Sequence, residues 1–136
     1  MSEAQVQAAK DKFGKLLEEQ IARVEKMKQG HEVLDFSSLK PIIIGVCFGD
    51  GIGEIISRHA ETVLRHVLKS EVDAGKIEFR DIAGLTIENR VAHNAAIPED
   101  VLEELKKCHV ILKGPTTTPQ DGDPWPNIES ANVAMR

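Results

Sequence analysis

Residues 41–48 read Pro-Ile-Ile-Ile-Gly-Val-Cys-Phe, and residues 49–53 continue Gly-Asp-Gly-Ile-Gly. A continuous apolar run of this length is typical of a strand that is covered on both faces of a sheet. The glycines predict a turn, and residues 54–69 then predict a helix. The residues expected on its inward face are Ile55, Ile56, Val63, Leu64, Val67 and Leu68. This strand, turn and helix together predict an α/β fold.

Two more strands are predicted downstream. Ile77 and Phe79 alternate with charged residues within residues 76–82, and residues 108–113 form another apolar run that we expect to be buried. Between them Pro98 is expected at the first position of a helix whose first turn carries acidic residues. Strands that alternate with helices predict a sheet that is at least partly parallel.

An amphipathic helix is predicted ahead of this α/β unit. From residue 3 to about residue 29, apolar side chains recur at steps of three and four and give one apolar face. Gly30 is the expected end of the helix, and residues 35–38 are typical of a linker. The face either packs on its own domain, which we favour, or docks on another subunit. We therefore expect a helical arm and linker over residues 1–40 and the α/β domain over residues 41–136.

Composition indicates a soluble globular protein. The chain has 136 residues, of which 41% are hydrophobic, and a formal net charge of −5. This charge disfavours binding of nucleic acid through a general basic field. No apolar run reaches the length of a membrane span, and the first residues lack the apolar core of a signal peptide. Cys47 and Cys108 lie within apolar runs, which predicts free thiols in a reducing cytoplasm.

Two common binding motifs fail on their spacing. A dinucleotide-binding Gly-x-Gly-x-x-Gly fingerprint needs a third glycine at position 54, where Glu54 would also repel a pyrophosphate. In the loop at residues 120–129, Asp121 and Asp123 suggest a calcium site, but no glutamate follows at the twelfth position. Trp125 in that loop is interpreted as a lid or packing anchor, because the chain has few aromatic residues for stacking bases.

The candidate site lies near the end of the sequence. Residues 112–119 read Leu-Lys-Gly-Pro-Thr-Thr-Thr-Pro, and residues 130–136 read Ser-Ala-Asn-Val-Ala-Met-Arg. The second stretch predicts the start of a helix that brings Ser130, Asn132 and Arg136 close together. A hydroxyl, an amide and a guanidinium in this arrangement suit an anionic, hydroxyl-bearing ligand. The simpler alternatives are that Ser130 only caps the helix and that the threonines only form a loop.

The order of these motifs resembles the isocitrate/isopropylmalate family of β-decarboxylating dehydrogenases. The likeness rests on the Gly-Asp-Gly-Ile-Gly turn, Lys-Gly-Pro-Thr-Thr-Thr-Pro and Ser-x-Asn-x-x-x-Arg, and it covers residues 41–136. In the family a proline follows the position of Gly53, and this chain lacks it. Residues 84–90 are similar to a segment of isocitrate dehydrogenases, and their charged trio is either a solvated turn or a brace of the cleft. The resemblance implies a partial fold of this family behind the N-terminal amphipathic helix.

The resemblance also implies a function and its residues. In the family a 2-hydroxy acid loses hydride to NAD or NADP, and the product loses carbon dioxide with help from Mg²⁺ or Mn²⁺. The positions that would contact the substrate's carboxylates are Ser130, Asn132 and Arg136. The positions that would line the nicotinamide are Lys113, Thr116, Thr118 and Asn132.

Serine and asparagine ahead of the arginine resemble the isocitrate enzymes, because isocitrate's extra carboxylate needs polar partners. The expected function is therefore conversion of isocitrate to 2-oxoglutarate; isopropylmalate is the next candidate, followed by homoisocitrate and tartrate. A catalytic Tyr and Lys and the metal-binding aspartates are expected beyond residue 136, so we expect this chain alone to be inactive. The expected partners are further copies, as in a dimer, or a complementary chain that supplies the rest of the fold. A non-catalytic regulatory or assembly subunit is the alternative.

Overall fold

The computed structural model describes residues 2–30 and 34–136. The chain divides into two compact units, residues 1–35 and residues 36–136. The domain boundary predicted at residue 40 stays a prediction. Within the described residues, no helix is long and apolar enough to span a membrane.

The first unit is one helix, α1, from Glu3 to Gln29. Ser2 begins it with a capping box: its Oγ accepts from the amide of Gln5, and the Gln5 side chain accepts from the amide of Ser2. Gly30 ends it and donates its amide to the Lys26 carbonyl. The predicted helix and its end are thus confirmed. Within this unit no residue of α1 is buried.

The second unit is built on a parallel sheet of three strands in the order β2-β1-β3. The strands are β1 (Ile42–Cys47), β2 (Ile77–Asp81) and β3 (Val110–Lys113). In register, Ile44 lies opposite Phe79 on one side and Val110 on the other. This confirms the α/β class and the parallel strands, and residues 44–47 of the apolar run are all buried as expected.

Helices connect the strands. A 3-10 turn at Phe36–Ser38 precedes β1, and α2 (Gly53–Val67) and α3 (Lys69–Asp73) connect β1 to β2. Helices α4 (Ile87–Ala92) and α5 (Glu99–Lys106) lead to β3, and α6 (Ala131–Ala134) follows the last loop. Pro98 was expected to be the first helical residue of α5, but it is the N-cap residue that precedes the helix. The main core cluster is formed by Cys47, Ile82, Leu85, Val101, Leu105 and Ala131.

The predicted inward face of α2 is wrong for four of its six residues, while Leu64 and Leu68 are half-buried. Four of its apolar residues, Ile55, Ile56, Val63 and Val67, are 47–67% exposed, and the residues buried instead are Gly53, Ser57 and Glu61. The reason is steric. This helix starts directly against the loop that follows β3, where a Cβ on Gly114 would collide with the Ser57 hydroxyl. Only small or hydrogen-bonded side chains fit there, so the bulky apolar residues turn outward.

The predicted burial of β3 is also wrong in part. Val110 and Ile111 are 42% and 38% exposed, although the strand forms where expected. As an edge strand, β3 pairs with β1 only, and its first two side chains are less enclosed than those of the central strand β1.

Candidate functional site

The candidate site forms where the loops after β1 and β3 meet at the carboxyl ends of the strands. The amide of Asp50 donates to the carbonyl of Pro115 (2.8 Å), and the amide of Gly114 donates to the carbonyl of Cys47 (2.7 Å). Glycine is required at this contact: an added Cβ at Gly53 would lie 2.7 Å from the Phe48 carbonyl oxygen. The Gly-Asp-Gly-Ile-Gly segment therefore lets two backbones approach closely.

Lys113 and Thr116, two predicted nicotinamide contacts, lie together. The Lys113 Nζ donates to the Thr116 Oγ1 at 3.0 Å and to the Gly114 carbonyl at 2.8 Å. Partial burial lowers the pKa of Lys113, and the positive charge of Arg90 adds to this. The Thr116 hydroxyl accepts from Lys113 and keeps its own proton free to donate. Thr118, two residues on, is exposed.

Thr117, the residue between Thr116 and Thr118, is held on both sides by charged side chains. The Thr117 amide donates to Asp50 Oδ2 at 2.6 Å, and the Thr117 carbonyl accepts from Arg90 Nη1 at 2.6 Å. The second carboxylate oxygen of Asp50 accepts from the Ile87 amide at 2.8 Å. Burial lowers the pKa of Arg90, while the charge of Asp50 acts in the opposite direction.

Arg90 also reaches the second predicted motif. Its Nη2 donates to the carbonyl of Glu129 at 2.7 Å, and its Nε donates to the carbonyl of Ala96 at 2.9 Å. Glu129 directly precedes Ser130, so one guanidinium joins the threonine loop to the start of the predicted substrate motif. The trio at residues 88–90 was expected to be either a solvated turn or a brace of the cleft. The buried contacts of Arg90 match a brace.

The predicted substrate motif begins a helix, as expected. The turn of helix α6 spans Ala131–Ala134, and the amide of Arg136 donates to the Val133 carbonyl at 3.2 Å. Ser130 is the N-cap residue and half-buried, and it makes no side-chain capping bond, whereas Asn132 and Arg136 are exposed. That these three side chains share one ligand stays a prediction.

Sequence reasoning missed Asp50 and Arg90 as parts of the site. Asp50 was interpreted as part of a turn and Arg90 as one of a charged trio. The only signal available was their charge within otherwise small or apolar segments, because the partners are backbone groups of segments 27 to 67 residues away. Such partners leave no pattern of their own in the sequence.

The segments that suggested a dinucleotide-binding fingerprint and a calcium loop have the following surroundings. A hollow of about 210 Å³ beside the glycine turn is lined by Phe48, Gly49, Glu54 and residues 82–86, and none of these lining residues is cationic. In the later loop, the Asp123 carboxylate accepts from the Gln120 amide at 2.8 Å and so closes its own turn. Trp125 is half-buried.

Metal ligands are not found in the parts of the chain that the structure describes. No group of three or more His, Cys, Asp or Glu side chains there could hold a metal ion. These residues therefore do not by themselves fit the Mg²⁺ or Mn²⁺ that the resemblance implies.

Known proteins with similar sequences were found. The model of the family described as "Isocitrate/isopropylmalate dehydrogenase" matches residues 43–136. A protein of Coxiella burnetii named isocitrate dehydrogenase (NADP) is 36% identical over 114 residues. Proteins of the same name from Staphylococcus aureus and Haloferax volcanii are 32% and 30% identical over 116 and 113 residues. Each match covers 82% of this chain, and the chain spans about a quarter of the relatives' length (25%). No solved structure gives a significant match.

Proposed function

Because this chain belongs to the isocitrate/isopropylmalate dehydrogenase family, we propose that it takes part in the oxidative decarboxylation of isocitrate to 2-oxoglutarate and supplies the N-terminal part of the active site. One observation carries the proposal. The Arg90 guanidinium bonds the backbone at Thr117 and at Glu129, and so brings the threonine loop and the start of the Ser-x-Asn-x-x-x-Arg motif to one place. The two motifs can then contact one substrate–cofactor pair.

In this proposal Lys113, Thr116, Thr118 and Asn132 line the nicotinamide. The Thr116 and Thr118 hydroxyls are suited to donate to a carboxamide oxygen or a ribose hydroxyl. A bound NAD or NADP would accept the hydride from the substrate's hydroxyl-bearing carbon. The names of the relatives specify NADP, so we propose NADP as the first cofactor to test.

Ser130, Asn132 and Arg136 bind the substrate's carboxylates in this proposal. The guanidinium of Arg136 can form two parallel hydrogen bonds with one carboxylate, and the hydroxyl and amide can each donate one more. A polar set of this kind suits isocitrate better than the alkyl group of isopropylmalate, because buried carboxylates need partners. The net charge of −5 means that such local donors must overcome a repulsive background.

The test uses the protein purified in the assembled form in which it occurs. We expect turnover of isocitrate with NADP or NAD and Mg²⁺ or Mn²⁺, and little with isopropylmalate. Arg136→Ala should lower kcat/KM for isocitrate at least about tenfold, because loss of one partner of a charge pair typically costs about 2–5 kcal/mol. Binding of the nucleotide alone should change little.

The matched control is Arg80→Ala. Arg80 is partly exposed on β2 and pairs with Glu78, away from these loops. Near-normal isocitrate kinetics for Arg136→Ala would show that the substrate binds elsewhere. Absence of isocitrate turnover in the unmodified assembly would contradict the proposed function.

A further inference from the structure

We propose that Asp50 and Arg90 are positioning residues, which hold the threonine loop and the residue before Ser130 in the geometry that the reaction requires. This inference rests on the proposed function, since it concerns the same site. It assigns a role to two charged side chains that do not themselves belong to either binding motif.

Arg90 has the contacts that such a role needs. It is fully buried, with 0% of its surface exposed, and each of its three nitrogens donates to a different carbonyl, at Ala96, Thr117 and Glu129. These carbonyls belong to three separate segments of the chain. A planar guanidinium with fixed donor directions sets the distances between those segments, which a flexible lysine ammonium cannot do.

Asp50 holds Thr117 from its other side, at the amide. It accepts from the amides of Thr117 and Ile87 with its two oxygens. Thr117 is therefore fixed at both its amide and its carbonyl, while the flanking side chains of Thr116 and Thr118 remain available for a ligand. Among the described residues, Asp50 forms no hydrogen bond with residues 129–130, whereas Arg90 bonds both Thr117 and Glu129.

The cost of burying Arg90 supports a geometric role. Burial of a charged group costs free energy that hydrogen bonds must offset, so stability alone is a weak reason for a charged side chain at this place. Catalysis, in contrast, is sensitive to position, and a displacement of about 1 Å can lower a rate by about a hundredfold. Both charges here hold the backbone beside residues that the proposed function assigns to ligands.

The difference in contacts gives a kinetic test on the assembled protein. Arg90→Lys should raise the KM for both the nucleotide and isocitrate, at least threefold each, because Arg90 holds the Thr117 and Glu129 segments. Asp50→Ala should raise the KM for the nucleotide at least threefold and leave that for isocitrate within twofold. Arg80→Lys, the same substitution at a partly exposed position, should change neither. A general loss of structure would raise both KM values in both variants.

A second measurement does not depend on the identity of the substrate. In Asp50→Ala, hydrogen exchange at the Thr117 and Ile87 amides should be at least tenfold faster, because both lose their acceptor. The Ile82 amide, which donates to the Val46 carbonyl at 2.8 Å, is the internal control and should exchange at its normal rate.

The outcomes separate this inference from the proposed function. Equal effects of Asp50→Ala on both KM values, or unchanged kinetics, would overturn the positioning role, as would normal exchange at Thr117. If Arg90→Lys does not fold, Asp50→Ala alone decides in the same way. If the unmodified protein does not turn over isocitrate, the proposed function fails, and exchange at Thr117 still tests whether the carboxylate holds the loop.

Discussion

Arg90 is completely buried, whereas Ile52, Ile55, Val63 and Val67 on and beside α2 are each more than 60% exposed. Both regions lie within the same small α/β unit. Charged residues are usually exposed and large apolar residues usually buried, and here the reverse holds. In the loop region the buried charge has three carbonyl partners and a nearby carboxylate. On α2 the apolar side chains of Ile55, Val63 and Val67 are exposed although they have no polar group to hydrate. Burial here follows satisfied hydrogen bonding and close backbone approach more than hydropathy.

The largest effect expected from this comparison is on Arg90. Arg90→Met keeps much of the side-chain volume but leaves the carbonyls of Ala96, Thr117 and Glu129 without their donor. We expect the free energy of unfolding to fall by about 3–5 kcal/mol, since each buried unpaired group costs about 1–3 kcal/mol. Urea unfolding monitored by circular dichroism measures this. Arg80→Met is the control. A similar fall in the free energy of unfolding for this variant would show that the effect does not depend on the burial of Arg90.

The reactivity of Cys47, the last residue of β1, measures how well the core beside the loops excludes water. Burial raises the pKa of this thiol to about 11, against a smaller opposing effect of the Lys113 charge. At pH 8 we expect Cys47 to react with a disulfide reagent at least about a hundredfold more slowly than after denaturation, because little thiolate forms. The raised pKa also means that its contribution to stability is present below about pH 8.5 and is lost as the pH rises toward 11. Cys47→Ser should remove that part of the alkaline loss; fast labelling of native Cys47 would contradict the burial.

The close approach of the two loops is tested by Gly114→Ala. An added Cβ would collide with the Phe48 carbonyl and the Ser57 hydroxyl, so the backbones must separate. We expect a loss of about 1–3 kcal/mol in the free energy of unfolding. The control is Gly14→Ala in α1, where a Cβ would meet no atom within 4 Å. It should increase helix content, since glycine is less favourable than alanine by about 1 kcal/mol inside a helix. Equal tolerance at both positions would show that the loops are not pressed together.

The smallest effect is expected on the outward face of α2. Ile55→Gln should change the free energy of unfolding of the isolated chain by less than about 0.5 kcal/mol, because Ile55 is 61% exposed. Ile44→Gln, in the centre of β1, is the comparison and should cost several times more. A loss above about 1 kcal/mol for Ile55→Gln would mean that this face is covered in solution.

Much of the fold could be predicted from local patterns. Helix α1 has a regular apolar period and a glycine at its end, and β1 is a continuous apolar run, so both were predicted correctly. The orientation of α2 was not, because its sheet-facing side is decided by the approach of Gly114, 57 residues after Ser57 in the sequence. At the site, Lys113 and Thr116 lie in contact. The side chains that hold their loop, Asp50 and Arg90, bond backbone groups and not other side chains. Backbone partners carry no residue-specific signal, which is why Asp50 and Arg90 escaped prediction.

The hydrogen bond from Thr117 to Asp50 joins residues 67 positions apart, and β1 lies between strands that follow it by about 35 and 66 positions. Closure of such long loops is entropically costly and slow, so non-local contacts of this kind form late. We therefore expect β1 to pair with β2 and β3 before the loops at its carboxyl end come into contact. We expect the candidate site to be the last part of the α/β unit to assemble during folding, and protection of the Thr117 amide to mark the completed fold.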